Sequence, residues 1–299
     1  MFHGAPDVAI DLGSANTRLF AAGRGLFAET PSIIGGAFHP LRRGVVADVG
    51  GVVALLEPLI GRVRRLAMRP RALACIPSGA SADERKALQQ ATRAAGAREV
   101  AILSEPLAAA IGADLDLSSG YAQMLIDLGD GVTDIAVVRG GQVIHNATFH
   151  SGCSDLRGAL LTHLEHQGGV QVAERDAERL VREVCSLPTD TASSWMSVRN
   201  GNQTLPVGSD DVLGVIEPVL YRIADFVDDF VRDLPNTLAV EVIESGACIT
   251  GGGAKLVTLV DLLRARSGLT IRVAADPLHA VIHGAGRILT GRGAKTLWG

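Results

Sequence analysis

At 299 residues, with 47% of them hydrophobic and 20% charged, the chain is long enough for two lobes with separate cores and too apolar for a disordered polymer. A formal charge of −4, with lysine only at Lys86, Lys255 and Lys295 among many arginines, excludes a general nucleic-acid binder. The four cysteines, Cys75, Cys153, Cys185 and Cys248, show no CxxC spacing and read as thiols of a reducing cytosol, while no leader-like segment follows Met1 and no apolar run is long enough to span a membrane.

The first apolar run, Val8-Ala9-Ile10, ends on Asp11-Leu12-Gly13 and is followed by Ser14-Ala15-Asn16 and a second apolar run, which predicts a β-hairpin with a tight turn. After TPSIIGG and the Arg42-Arg43 pair, GVVADVGGVVALLEPLIGRV reads as a helix over 44–63. ALACIP predicts a strand from Ala72 to Pro77. Ser81-Ala82-Asp83-Glu84 is a capping box opening a helix that stops at Gly96. A strand VAIL then leads to Glu105-Pro106, where Pro at a first helical turn begins LAAAIGA.

The opening pattern then recurs. MLIDLGDGVTDIAVVR repeats VAIDLGSANTRLFAAG, with Asp127 for Asp11, Thr133 for Thr17 and Ile135 for Leu19, so a second hairpin is predicted over 123–148. Residues 156–187 read as helical, and 188–210, rich in Ser, Thr, Asn, Gly and Pro, read as loop with room for one strand. From Asp211 to Leu234 apolar residues repeat at helical spacing with charges on the opposite face. A strand ACIT runs into Gly251-Gly252-Gly253, which is predicted to open the helix AKLVTLVDLLRAR.

The chemistry follows from the turns. Ser14-Ala15-Asn16 beside Gly13, and Asp130-Gly131 beside Gly129, carry little bulk that would keep backbone N–H groups from an anion. Two such loops facing each other would hold a polyphosphate. A carboxylate beside phosphate calls for a hard cation between them, which makes Asp11 and Asp127 the candidate Mg²⁺ pair. One Asp-Leu-Gly alone is only a strand end and a turn; the duplication with aligned flanks favours the phosphate reading. Gly251, Gly252 and Gly253, after a strand, would let a nucleoside lie against bare backbone.

Taken in order, DLGSANT, SEPLAAAIGA, DLGDGVTD and ITGGGAKL resemble the actin-like ATPase superfamily, and most closely the MreB-type bacterial actins. The resemblance extends through PRALACIPSGASADERKALQQATRAAGAREV and ADPLHAVIHGAGR. It implies an α/β, actin-like two-lobed ATPase fold with duplicated ribonuclease-H-like domains. The first lobe would span 1–117, with a reduced small subdomain at about 35–50, and the second 118–275, with its small subdomain at about 156–242. Residues 276–299 would carry a C-terminal helix returning to the first lobe.

By position, the resemblance assigns Gly13, Ser14, Ala15 and Asn16, with Gly129, Asp130 and Gly131 opposite, to the phosphates of ATP, and Asp11 and Asp127 to water-mediated Mg²⁺. Gly251, Gly252 and Gly253 would border the adenosine, Glu178 would reach the nucleoside, and Glu105 would orient the attacking water as the catalytic residue. The implied function is ATP-dependent assembly into filaments that organise cell shape or cell-wall synthesis, in the cytoplasm and at the inner membrane face. Self-association, a full-length actin-like homologue and cell-wall synthesis proteins are the implied partners.

The departures from the family pattern bear on hydrolysis and assembly. The second loop reads DLGDGVT where bacterial actins read DxGGGTT, so Val132 replaces a hydroxyl-bearing residue, with Asp134 two residues further on. Gly152-Cys153-Ser154 replaces the usual GGD. Between TPSIIGG and RRGVVADV a few dozen family residues are missing, most of a small subdomain that ordinarily contributes to the contact between successive protomers. The stretch Arg62–Arg71, with five Arg around Leu66 and Met68, stands where some bacterial actins insert an apolar loop into the membrane. Two alternatives remain: a non-polymerising nucleotide switch or accessory subunit of another filament, and a phosphotransferase of the sugar-kinase branch, for which no acceptor-site motif is present.

Overall fold

The computed structural model describes residues 7–63, 68–168, 172–186, 194–200 and 203–291. The chain opens with β1 (Val8–Leu12), β2 (Asn16–Ala21) and β3 (Gly25–Pro31), followed by the short pair β4 (Leu41–Arg42) and β5 (Val45–Val46). Then come α1 (Val49–Gly61), β6 (Arg71–Ile76), α2 (Ala82–Ala94), β7 (Glu99–Ser104) and α3 (Glu105–Gly112). The second half starts with β8 (Gln123–Leu128), β9 (Thr133–Arg139) and β10 (Gln142–Phe149), then α4 (Cys153–Gly168), α5 (Glu174–Val184), β11 (Trp195–Asn200), β12 (Gln203–Gly208) and α6 (Ser209–Arg232). It closes with α7 (Asn236–Ser245), β13 (Ala247–Thr250), a 3₁₀ turn at Gly252–Lys255, α8 (Val257–Ser267), β14 (Ile271–Val273) and α9 (Ala280–Thr290).

The internal repeat is built into the sheets. One five-stranded sheet runs β3-β2-β1-β6-β7 and the other β10-β9-β8-β13-β14. In each, the first three strands form an antiparallel meander and the last two add in parallel. Both turns close alike: an ideal Cβ on Gly13 would meet the Asn16 carbonyl oxygen at 2.9 Å, and one on Gly129 the Val132 carbonyl oxygen at 2.9 Å. Thr17 and Thr133, equivalent in the repeat, are both buried; Thr17 shares a 2.8 Å hydrogen bond with Ser32, and Thr133 donates to the Ser151 carbonyl at 2.9 Å.

Strand pleating divides the apolar residues among three cores. Val8, Ile10 and Leu12 of β1 face α1 and α2, whereas Ala9 faces the opposite way. Met124, Ile126 and Leu128 of β8 face the helices α4, α5, α6 and α8, whereas Leu125 faces the other way. Ala9 and Leu125 belong to the same middle core, filled by Ala108, Ala109 and Ala110 of α3 and Ile282 and Ala285 of α9. The two helices are thus a shared layer between the sheets. Their approach is close enough that a Cβ on Gly284 would lie 1.8 Å from the Ala108 carbonyl oxygen, and one on Gly112 1.8 Å from that of Ala280.

Several predicted elements change. Strand β3 is not among the predicted elements, because GLFAETP shows no alternation; it is an edge strand, exposed at Glu29 and Pro31. The helix predicted over 44–63 begins only at Val49. Arg43 and Gly44 both have positive φ, the pattern of a tight hairpin turn joining β4 to β5, and Asp48 then caps α1 by accepting from the Gly51 N–H at 2.5 Å. Residues 188–210 hold two paired strands among the described residues, β11 and β12, rather than one. The three glycines do not open the α-helix: Gly251 has φ +82°, a 3₁₀ turn follows, and α8 starts at Val257. The capping box at Ser81 and Glu84 is present with both of its hydrogen bonds.

Candidate functional site

A cleft of about 480 Å³ is lined by both hairpin loops and by residues of both halves. It gathers Asp11, Gly13, Ser14, Ala15, Asn16, Glu105, Asp127, Gly129, Asp130, Gly131, Glu178, Gly251 and Gly252. Of the residues assigned to nucleotide, Mg²⁺ or the attacking water, Gly253 alone is outside the lining; a Cβ on it would lie 2.8 Å from Leu128 Cβ. The two loops face each other directly, since a Cβ on Gly131 would fall 2.7 Å from Ser14 Oγ and 2.9 Å from Arg43 Cα. Ser14 Oγ also accepts from the Gly44 N–H at 2.9 Å.

Register places the charges. Asp11, Arg18 and Glu29 are direct neighbours across β1, β2 and β3. Arg18 donates to Asp11 at 3.2 Å and to Glu29 at 2.9 Å, and is buried with Asp11. The equivalent row of the second sheet is Thr250, Asp127, Asp134 and Thr148. Thr250 donates to Asp127 Oδ1 at 2.8 Å. Asp134 is held by Thr148 and by Ser78 Oγ at 3.1 Å, so the first half reaches across to the second. Thus an arginine stands in one copy where the other has a carboxylate.

Asp11, Glu105, Asp127 and Asp134 are all buried, and burial raises the pKa of each above its ordinary range. Glu105 is pushed well up, first by burial and then by Asp11, Asp134 and Asp127. Asp127 rises to about 7 for the same reason, although the Thr250 hydrogen bond and Arg18 oppose the shift. Arg18 is the one buried cation that directly bonds Asp11 among the described residues. Clustered hard oxygen donors with excess negative charge suit a divalent cation such as Mg²⁺. Asp134 is bonded to Ser78 and Thr148, Asp11 to Arg18 and Asp127 to Thr250, and Asp11, Asp127 and Glu105 line the cleft, where each could offer an oxygen to such a cation.

Several lining residues escaped the sequence reading: Arg18, Glu29, Arg157, Arg182 and Lys255 supply charges, and Pro277, Leu278 and Val281 an apolar wall. Arg157 holds Asp130 through both oxygens, at 2.5 and 3.2 Å, and reaches Glu174 at 3.2 Å. The Asp130 side chain is therefore tied to α4, and its loop contributes backbone rather than a free carboxylate. Glu178 pairs with Arg182 at 2.5 Å. The only sequence signal for Arg18 is a charge inside an apolar strand.

The basic stretch Arg62–Arg71 is partly engaged elsewhere. Residues 64–67 lie outside the described residues. The Arg62 guanidinium sits over the Phe27 ring, 5.6 Å from its centroid, and Arg71 pairs with Asp7 at 2.5 Å. Among the described residues, no helix is long and apolar enough to cross a membrane.

The MreB/Mbl protein family model matches residues 35–296. The cell shape-determining protein MreB of Escherichia coli strain K12 is 30% identical over 322 aligned positions, covering 95% of this chain and 93% of the relative. The cell shape-determining protein Mbl of Bacillus subtilis is 27% identical, covering 95% and 96%. Among solved structures, MreB5 of Spiroplasma citri bound to AMPPNP superposes with a TM-score of 0.87 at 22% identity, covering 99% of this chain and 98% of that one. The MamK double helical filament superposes with a TM-score of 0.80 at 17% identity, covering 95% and 99%. With the actin-like fold in place and the family match running through most of its length, the chain belongs to the MreB/Mbl family of bacterial actin-like proteins.

Proposed function

We propose that the chain binds Mg·ATP in this cleft and assembles into cytoskeletal filaments, as a cytoplasmic actin of the cell-shape type. The observation that carries the reading is the pair of facing loops, Gly13–Asn16 and Gly129–Gly131, with Asp11 and Asp127 buried at their entrances. Gly13, Ser14, Ala15 and Asn16 would hold one side of the phosphates and Gly129, Asp130 and Gly131 the other. Lys255 adds positive charge to the lining, while Arg157 and Arg182 are balanced by Asp130, Glu174 and Glu178. Gly251, Gly252, Leu278 and Glu178 would border the nucleoside. Mg²⁺, when bound through Asp11 and Asp127, supplies charge neutralisation between the carboxylates and the phosphates. The AMPPNP-bound MreB5 and the MamK filament are the relatives whose descriptions support nucleotide binding and self-association.

Glu105 heads α3 after Ser104 and lines the same cleft. Its role would be to orient the attacking water. Val132, which is buried and lines the cleft, has no hydrogen-bonding group to help, and Asp134 is bonded to Ser78 and Thr148. Turnover is accordingly expected to be slow. Glu105→Gln should bind Mg·ATP within about twofold of wild type and lose roughly 10²-fold in hydrolysis rate. Titration calorimetry and single-turnover phosphate release separate the two, and loss of binding comparable to the loss of rate would contradict the assigned role.

A second reading, a nucleotide switch or accessory subunit that does not polymerise alone, is favoured by what the chain lacks. The alignment with the E. coli relative runs over 322 positions, more than the 299 residues present, so that relative carries stretches absent here. Between β3 and α1 the chain holds only the two-residue strands β4 and β5. We place the missing first-lobe subdomain there, with the first lobe over 1–117, the second over 118–275 and the C-terminal element over 276–299. Co-assembly with a full-length homologue, without self-assembly, is the outcome this reading predicts. Contact with a membrane surface would rest on residues 62–71, of which Arg62 and Arg71 already have protein contacts.

A further inference from the structure

Next in sequence to the apolar wall residues Pro277 and Leu278 is a group of ligating side chains that nucleotide binding does not use. Asp276, His279 and His283 present ligand atoms that all fall within 4.8 Å of one another. The backbone makes the cluster. His279 immediately precedes α9, and the His283 N–H donates to the His279 carbonyl at 2.9 Å, so the two imidazoles stand one helical turn apart on one face. Asp276 sits three residues before, with a carboxylate oxygen 2.9 Å from His279 Nδ1 and 3.5 Å from His283 Nε2. The helix beneath is fixed against α3 by the Gly112 and Gly284 contacts.

The other nitrogen of His279 sharpens the case. His279 Nε2 lies 3.1 Å from Glu29 Oε2, and Glu29 also receives Arg18 Nε at 2.9 Å. Carboxylates thus face both ring nitrogens of His279, with both oxygens of Asp276 at 2.9 Å from Nδ1, and a neutral imidazole can donate to only one of the two sides. A cation between Nδ1 and Asp276, with Nε2–H donated to Glu29, satisfies both. Carboxylate, imidazole and metal in that order form a common second-shell arrangement that orients a ligating histidine.

We propose that Asp276, His279 Nδ1 and His283 Nε2 form a Zn²⁺ site, with water in the fourth position. Two imidazoles at i and i+4 with one carboxylate are donors suited to this borderline metal. Tetrahedral bonds of about 2.0–2.1 Å place ligand atoms about 3.3 Å apart, and the present 2.9 and 3.5 Å separations bracket that value. Pro277 and Leu278, between the first two ligands, line the cleft, as does Glu29. The ion would therefore brace the segment that carries this part of the cleft lining.

The test uses the untagged, metal-stripped full chain without nucleotide, titrated with Zn²⁺ in competition with a chromophoric chelator. Co²⁺ serves as the visible probe of four-coordination. One Zn²⁺ per chain is expected, with an intense Co²⁺ visible band. His283→Ala and His279→Ala should each weaken binding at least about tenfold, and Glu29→Gln about tenfold through the lost second-shell bond. His39→Ala, away from the cluster, should match wild type. Circular dichroism verifies that each variant is folded, and the part-exposed His283 is the substitution least able to disturb the fold. Absence of stoichiometric binding, or equal affinity in wild type and both histidine variants, overturns the site and leaves a proton as the bridge. Because no nucleotide is present, that failure leaves the reading of the cleft untouched.

Discussion

Asp127→Asn is expected to make the nucleotide-free, magnesium-free protein more stable at pH 8 while weakening Mg·ATP binding by about 10- to 100-fold. The two effects have one cause. Asp127 is buried beside Asp134 and Asp11, and its pKa is raised to about 7 in the folded chain from an ordinary value of 3.8. A carboxyl group raised on folding stabilises the fold below its unfolded pKa, and that contribution is lost as pH rises toward the folded value. Between about pH 4 and 7 the wild type should therefore lose stability that an asparagine, which does not titrate, retains. The loss should be about 1–2 kcal/mol by pH 5 and about 4 kcal/mol by pH 8. Asparagine keeps the oxygen that accepts from Thr250, and its amide can donate to neighbouring carboxylates. Thermal melts at the two pH values decide the matter; a variant that gains nothing at pH 8 relative to pH 5 would mean that the acids do not strain the free cleft.

Gly284→Ala should unfold or severely destabilise the protein, by more than about 3 kcal/mol, although helix propensity alone predicts a gain of roughly 1 kcal/mol. The alanine methyl would sit 1.8 Å from the Ala108 carbonyl oxygen and 2.8 Å from the Gly112 backbone nitrogen. Neither obstacle is a flexible side chain, so α9 would have to lift off α3. That displacement would open the middle core around Ala109, Ala110, Ile282 and Ala285, and would carry Pro277, Leu278 and Val281 away from the cleft. Gly214→Ala in α6, where an added Cβ meets nothing within 4 Å, is the control and should be neutral or slightly stabilising. Denaturant unfolding of both variants tests this, and equal stability of Gly284→Ala and Gly214→Ala would refute the close-packed layer.

The repeated hairpin was readable because Ile-Asp-Leu-Gly recurs with its flanks, and the antiparallel pairs β1–β2 and β8–β9 follow from that duplication. The capping box was readable because it is local. What stayed hidden depends on register between strands. Nothing in the string places Glu29 beside Arg18, since both positions become informative only once β3 is known to exist. The middle layer has a faint signal in Ala108-Ala109-Ala110 with Gly112 and Gly284, small residues that permit close approach; what they approach is tertiary. Asp130 drew attention as a phosphate-loop residue, but Arg157, far along the chain, turns its carboxylate to α4. The three glycines misled because Gly251 serves a positive φ and a contact with the Leu128 carbonyl, where a Cβ would come within 2.2 Å, rather than a helix start.

Nucleotide-dependent assembly is the property that separates a filament protein from a switch. Right-angle light scattering of the purified chain, over a concentration series with Mg·ATP and with a nucleotide-free control, measures it directly. Scattering should appear above a critical concentration and require nucleotide, despite the short connection between β3 and α1. A flat response at every concentration, in protein shown by calorimetry to bind Mg·ATP, would contradict the filament reading and leave a nucleotide switch or an accessory of another filament.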